Sequence, residues 1–155
     1  MKKTIIFILF LSNINSFSQV GSVEIWERRS SNEVLEIKYQ SDSTINIQMT
    51  GTDNNYDNTP TMIIFSGTPK EYYIFICELE KFAEENEPEA GVSINSLIGG
   101  MSVSLEKFLG GIHLSIYEKG GPGFHNLLPA WLPKFKEKFV EWADKNNIVL
   151  NVVEK

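Results

Sequence analysis

Two histidines are the residues of this chain best suited to acid–base chemistry. His113 falls on the polar side of a predicted strand together with Ser115, a pairing that suggests a hydrolase. However, side chains two residues apart on a strand point in parallel and lie about 6.6 Å apart, at roughly 3.3 Å per residue. This is too far for the hydrogen bond between a nucleophile and its base. His125 completes a site only if the fold brings it there, so both histidines are catalytic candidates without an assembled catalytic set.

A glycine-rich segment, residues 120–125, leads from a predicted strand toward the second predicted helix. Gly121, Gly123 and His125 are candidate ligand-binding residues, because glycines let a backbone approach a ligand and amides at a helix start favour anions. The spacing matches neither the dinucleotide-binding fingerprint nor the P-loop, and Pro122 has no amide to donate. The sequence therefore favours a wide turn over a ligand-binding loop here.

The loop at residues 53–58 is a candidate for metal binding. Asp53, Asn55 and Asp57 repeat the alternating oxygen ligands that open a calcium-binding loop. The match ends at Asn58, which stands where the turn needs glycine, and the bidentate glutamate is missing further along. Asn and Asp are also common in hairpin loops, since they bond to their own backbone. We therefore predict no metal ion and no cofactor.

The first 18 residues have the three parts of an export signal. Lys2 and Lys3 supply positive charge, residues 4–11 are apolar, and the small side chain of Ser18 suits a cleavage site. The apolar run is far shorter than the roughly 20 residues that span a bilayer. A buried N-terminal strand is the alternative, but the two lysines and the polar residues after the apolar run favour export. We expect an extracytoplasmic protein, periplasmic or secreted, with no stable membrane insertion after cleavage.

Size and charge restrict the domain count and the partners. Residues 19–155 suffice for one independently stable core and contain no repeat or linker, so we predict a single α+β domain. The formal net charge is −6, which repels the phosphates of nucleic acids and of anionic membranes. Cys77 is the only cysteine, so no intramolecular disulfide can form. Its place in a predicted helix favours a buried thiol and a monomer.

Alternating apolar and polar residues predict an N-terminal β-meander. Its first three strands are expected at residues 23–29, 35–39 and 45–49, with polar turns between them. After a long polar loop, the continuous apolar run at residues 62–65 is typical of a strand covered on both faces. A later hairpin is expected around Gly110, between two further alternating runs.

Two helices and a last strand complete the predicted fold. Thr68 and Glu71 have the spacing of a capping box, and apolar residues at helical spacing follow it. The second helix carries an apolar stripe that we interpret as core; Pro133 either kinks this helix or marks its true start. Residues 148–152 predict a C-terminal strand. The fold class is therefore α+β: a mostly antiparallel sheet of about seven or eight strands with two packed helices.

Two hypotheses of function remain open from the sequence. The first is an exported, non-enzymatic binding module that contacts another protein or an envelope component through a sheet face or a helix surface. The second is a small extracytoplasmic hydrolase or carbohydrate-active enzyme that uses His113 or His125. The enzyme hypothesis gains support if both histidines converge in one concave pocket with a carboxylate such as Glu106 or Glu118. It loses support if the two histidines lie apart.

Overall fold

The computed structural model describes residues 22–28, 33–39, 45–55 and 61–150. In these ranges the chain forms two antiparallel sheets of four strands each and two helices, which confirms the α+β fold class. The prediction of a single sheet is wrong. The first helix separates the fourth strand from the fifth along the chain, and every neighbouring pair in each sheet joins consecutive strands. The expected signal peptide, residues 1–18, lies outside the described residues.

The first sheet is the predicted meander. Its strands, in order across the sheet, are β1 (Ser22–Arg28), β2 (Glu33–Tyr39), β3 (Ile45–Thr52) and β4 (Thr61–Gly67). The sequence predicts that the apolar run in β4 is covered on both faces, but only one face is covered. Met62 and Ile64 are buried, whereas the side chain of Ile63 is 52% exposed. The reason is that an antiparallel sheet can pack one face on the core and leave the other to solvent.

The second sheet contains the predicted hairpin and two strands that the sequence analysis missed. Its strands, in order, are β5 (Ser93–Ile98), β6 (Met101–Phe108), β7 (Gly111–Tyr117) and β8 (Phe124–Leu127). The hairpin turn between β6 and β7 consists of Leu109 and Gly110, both with positive φ (48° and 80°). Two such residues form the turn that matches the twist of a tight hairpin. The unexpected strands are β5 and β8, one at each edge of this sheet.

The predicted C-terminal strand is not present in residues 148–150, and the remaining residues of that prediction lie outside the described ranges. Asn147 takes a left-handed backbone conformation with φ of 56°, and the amide of Ile148 donates to the carbonyl of Ala143. This is the usual closure of a helix end, which turns the chain back toward the helix. Leu150 still packs against the core, so its apolar character is explained without a strand.

The first helix, α1 (Pro69–Glu85), begins with the predicted capping box. The Thr68 amide donates to the Glu71 carboxylate at 2.8 Å, and the Glu71 amide donates to the Thr68 hydroxyl at 3.3 Å. The bond from the Thr68 backbone amide lowers the pKa of Glu71. Pro69 stands at the first helical position, where its missing amide has no helical partner to lose. Cys77 lies on the same helix. The sequence predicts a buried thiol there, whereas the residue is half-buried.

We expect Thr68→Ala to lower the free energy of unfolding by about 1 kcal/mol, the usual effect of removing an N-cap side chain. Because the pKa of Glu71 is lowered, the contribution of its carboxylate is present above the ordinary pKa of a glutamate and is lost as the pH falls through the lowered value. Urea denaturation at neutral and at acidic pH measures both effects. Thr61→Ala, at an exposed position of β4, is the control, and an unchanged midpoint for Thr68→Ala contradicts the prediction.

The second helix, α2 (Leu132–Lys145), starts after a short 3₁₀ turn, Pro129–Trp131. Pro133 is in the first turn of α2. Of the two predicted roles for Pro133, a kink or the start of the helix, the second is therefore correct. Four residues of the predicted stripe are buried: Leu132, Phe135, Phe139 and Ala143. No helix in the described part of the chain is long and apolar enough to cross a membrane.

One hydrophobic core connects both sheets and both helices. Two edge-on ring contacts fix α2 within it. The ring of Trp26 in β1 meets Phe135 with centroids 4.4 Å apart, and the ring of Tyr72 in α1 meets Phe139 at 4.7 Å. The apolar stripe of α2 is therefore core, as the sequence predicts. The inner face of the second sheet also belongs to this core, which leaves its opposite face for other contacts.

Candidate functional site

The candidate His125 lies inside the protein, between the two sheets. It belongs to β8 and pairs with Ile116 on the inner face of the second sheet. Its side chain is 3% exposed. The Nδ1 atom lies 2.7 Å from the Thr52 carbonyl, and the Nε2 atom lies 3.1 Å from Oε1 of Glu33, whose exposure is 0%. Both ring nitrogens of His125 are thus engaged with the first sheet.

The partners of His125 fix the orientation of its ring. A carbonyl oxygen only accepts, so Nδ1 donates to the Thr52 carbonyl. The other ring nitrogen, Nε2, faces the buried Glu33 carboxylate. The ring lies directly over Gly51, where an added Cβ would come within 2.5 Å of it. This fit indicates a structural link between β2, β3 and β8.

The candidate calcium loop and the candidate glycine-rich loop come together. The side-chain amide of Asn55 donates to the Pro122 carbonyl, and the Asn54 amide donates to the Phe124 carbonyl at 3.0 Å. The Asp53 carboxylate is buried and accepts a hydrogen bond from the backbone amide of Asn55 at 2.9 Å. These bonds dock residues 53–55 on the glycine-rich segment.

Carboxylates of Asp53 and Glu118 approach the same glycine. A Cβ on Gly123 would lie 2.7 Å from an Asp53 oxygen and 3.0 Å from a Glu118 oxygen, so a side chain at this position would require these carboxylates to shift. Gly121 is exposed beside them, while Asp57 lies outside the described residues. In the described ranges, no group of three or more His, Cys, Asp or Glu side chains is arranged to hold a metal ion.

The candidate His113 is on the opposite face of the second sheet from His125. It stands directly across from Glu106 of β6, on the outer face, and its ring meets Phe108 with centroids 6.2 Å apart. Ser115, which the sequence places beside His113 but too far for a nucleophile–base bond, donates its hydroxyl to the Asn126 side chain at 2.6 Å. The two histidines are therefore on opposite faces of one sheet, and among the described residues neither has a hydrogen bond to a serine.

The outer face of the second sheet forms a surface of three registered rows, which we call the polar face. Its central row runs across all four strands and contains Asn95, Ser104, Ser115 and Asn126. The two serines in the middle are 1% and 6% exposed, and the two asparagines at the ends are exposed. The two serines are thus covered by neighbouring side chains, and the accessible groups of the row are the two asparagines.

The histidine row, on one side of the central row, contains Ser93, Glu106 and His113. One Glu106 oxygen, Oε1, accepts hydroxyl hydrogens from Ser93 at 2.7 Å and from Ser104 at 3.1 Å. In a catalytic triad the histidine stands between serine and carboxylate, whereas here the carboxylate itself bonds to the serines. This network orders the surface and does not activate a serine.

The aromatic row, on the other side of the central row, contains Leu97, Ser102, Tyr117 and Phe124. The rings of Tyr117 and Phe124 lie side by side with centroids 5.8 Å apart and an interplanar angle of 32°. Leu97, at the edge of the sheet, is 73% exposed. The polar face thus has apolar and aromatic side chains along one border and a hydrogen-bonded carboxylate along the other.

A separate cleft of about 560 Å³ lies between β4, α1 and the turn after β5. Its apolar wall is formed by Phe65 and Phe75, whose rings stack with centroids 5.1 Å apart, and Glu71 and Glu78 add acidic side chains. Neither histidine lines it. The pocket expected for a histidine-dependent enzyme is therefore not found at this cleft.

Sequence reasoning singled out His113, Ser115 and Glu106 but missed the rest of the polar face. The alternation in β6 and β7 does place Ser104 and Ser115 on their outer sides. The partners Asn95 and Asn126 belong to the two edge strands that the pattern did not predict, and only the strand register joins all four residues.

A comparison with models of protein families finds no family that matches the chain, and a comparison with curated proteins finds no matching relative.

Proposed function

We propose that the protein is an exported, non-enzymatic binding module that contacts a component of the cell envelope through its polar face. The observation that carries this proposal is the order of that face. Its side chains are fixed by hydrogen bonds, such as that of Ser115 with Asn126, while the ends and the aromatic border are accessible to solvent. A surface that is already ordered loses less conformational entropy when it binds. Export rests on the sequence of residues 1–18.

A hydrolase has less support. His125 is buried with both ring nitrogens engaged, and His113 faces away from it on the other side of the second sheet. A catalytic base must lie within hydrogen-bond reach of the group whose proton it takes, and Ser115 is bonded to Asn126 instead. These positions favour the binding hypothesis over the enzyme hypothesis.

The test is capture from an envelope extract by the mature protein, immobilised in three forms. The first is the wild type. The second is the polar-face variant, Asn95→Ala with Tyr117→Ala, which removes two exposed side chains of that surface. The third is Asn46→Ala, a matched control, because Asn46 forms a similar cross-strand bond with Ser66 in the first sheet, at 3.1 Å.

We expect one envelope component to be retained equally by the wild type and the control, and at least about tenfold less by the polar-face variant. Equal retention by all three forms contradicts the proposal. A hydrolytic activity that disappears in His113→Ala also contradicts it, since a binding module has no turnover to lose.

A further inference from the structure

The two exposed ends of the central row offer hydrogen-bonding groups of one kind. Asparagine side chains both donate and accept, as sugar hydroxyl groups do. The exposed residues Asn95 and Asn126 stand at the two ends of the row, with Ser104 and Ser115 as its floor. Neighbouring strands are roughly 4.8 Å apart, so the row spans about 14 Å, the length of a short oligosaccharide.

The aromatic row supplies a surface for the apolar side of a sugar ring. Tyr117 and Phe124 lie next to each other on the same side of the central row, with ring centroids 5.8 Å apart. The face of an aromatic ring is electron-rich and attracts the weakly positive C–H groups of a pyranose. A ring seated here would keep its hydroxyl groups directed toward the central row.

The charge of the polar face disfavours anionic polymers. Its three rows contain no lysine or arginine, and the whole chain is acidic, with a net charge of −6. Anionic chains are therefore repelled. The one carboxylate, Glu106, already accepts two hydroxyl hydrogens through Oε1, which is the same contact that a carbohydrate hydroxyl would make.

From these three observations we infer that the polar face binds an uncharged carbohydrate chain. The chain lies along the central row, with one ring against Tyr117 and Phe124. This inference rests on the proposed binding function and names its ligand class.

The experiment screens the mature protein on an array of neutral oligosaccharides of hexose and N-acetylhexosamine, with hexamers of galacturonic acid as the anionic comparison. Titration calorimetry then measures the affinity for each neutral chain that binds. We expect binding to at least one neutral chain and a loss of about tenfold or more in the polar-face variant, with no change in Asn46→Ala. Raising NaCl from about 50 to about 500 mM should change this affinity less than about twofold, because no ligand charge is screened.

Amide chemical shifts of the central row, measured during the same titration, locate the chain on the protein. Shifts confined to residues outside β5 to β8 overturn the inference. If no neutral chain binds but envelope capture still depends on the polar face, the ligand is of another class, and the binding function stands alone. Tighter, salt-dependent binding of the galacturonic acid hexamer also overturns the inference. If neither capture nor sugar binding responds to the polar-face variant, both proposals fail.

Discussion

Replacing Glu33 with alanine is expected to lower the free energy of unfolding by about 3–5 kcal/mol, because it leaves His125 buried without its carboxylate partner. The two side chains are 0% and 3% exposed, and the atoms Oε1 and Nε2 lie 3.1 Å apart. His125→Ala should be about as harmful, since it leaves both Glu33 and the Thr52 carbonyl without the ring.

Equilibrium urea denaturation of both single variants and of the double variant Glu33→Ala/His125→Ala tests this link. The double variant should lose clearly less than the sum of the single losses, since each single substitution already breaks the same contact. Glu24→Ala, at an exposed position of β1, is the control and should change the stability by no more than about 0.5 kcal/mol. Additive losses would show that the two side chains do not stabilise each other.

The Glu33–His125 contact also shows why only part of the fold can be predicted from the sequence. The meander, the capping box and the hairpin at Gly110 depend on residues that are close along the chain, and all three are present. The strand β8 has only four residues, too few for an alternating pattern to be recognised. Its glycine-rich approach therefore indicates a wide turn, and the sequence alone makes His125 both a catalytic and a ligand-binding candidate.

The polar face could not be predicted for a related reason. A row such as Asn95, Ser104, Ser115 and Asn126 exists only when four strands pair in one register. Each strand alone shows that a polar side chain points outward, but a shift by one residue would place it in the core. The division into two sheets also depends on where α1 interrupts the strands, which decides which faces remain accessible.

The second large effect is expected in α2, where Phe139→Ala should lower the free energy of unfolding by about 3–5 kcal/mol. The Phe139 side chain is fully buried, with its ring edge-on to Tyr72 and stacked near Trp142 at 5.7 Å. Its removal leaves a cavity between the two helices that the surrounding rings cannot fill without leaving their positions. A loss of this size is a large share of the total stability of a small domain, so poor recovery of the variant is expected.

Tyr72→Phe is the matched control for this cavity, since it keeps the ring that packs on Phe139. The Tyr72 hydroxyl is buried and has no hydrogen-bond partner among the described residues. Burial also raises the pKa of Tyr72, because the ionised form loses its hydration inside the protein. Removing an unpaired buried hydroxyl should therefore leave the stability unchanged or increase it by about 1 kcal/mol or more. Thermal and urea denaturation measure the change in the free energy of unfolding for both substitutions. A loss in Phe139→Ala without a loss in Tyr72→Phe would distinguish the effect of packing from that of the hydroxyl.

The Phe139→Ala experiment also separates the two roles that an apolar helical stripe can have. If the stripe were a binding surface, the variant would fold with wild-type stability and lose only its captured envelope component. Burial of Phe135, Phe139 and Ala143 against the core predicts the reverse. Whatever fraction of the variant folds should then retain that component as the wild type does, because the polar face lies on the far side of the second sheet. Stability and binding are therefore expected to depend on different residues, with Phe139 affecting only the first and Tyr117 affecting only the second.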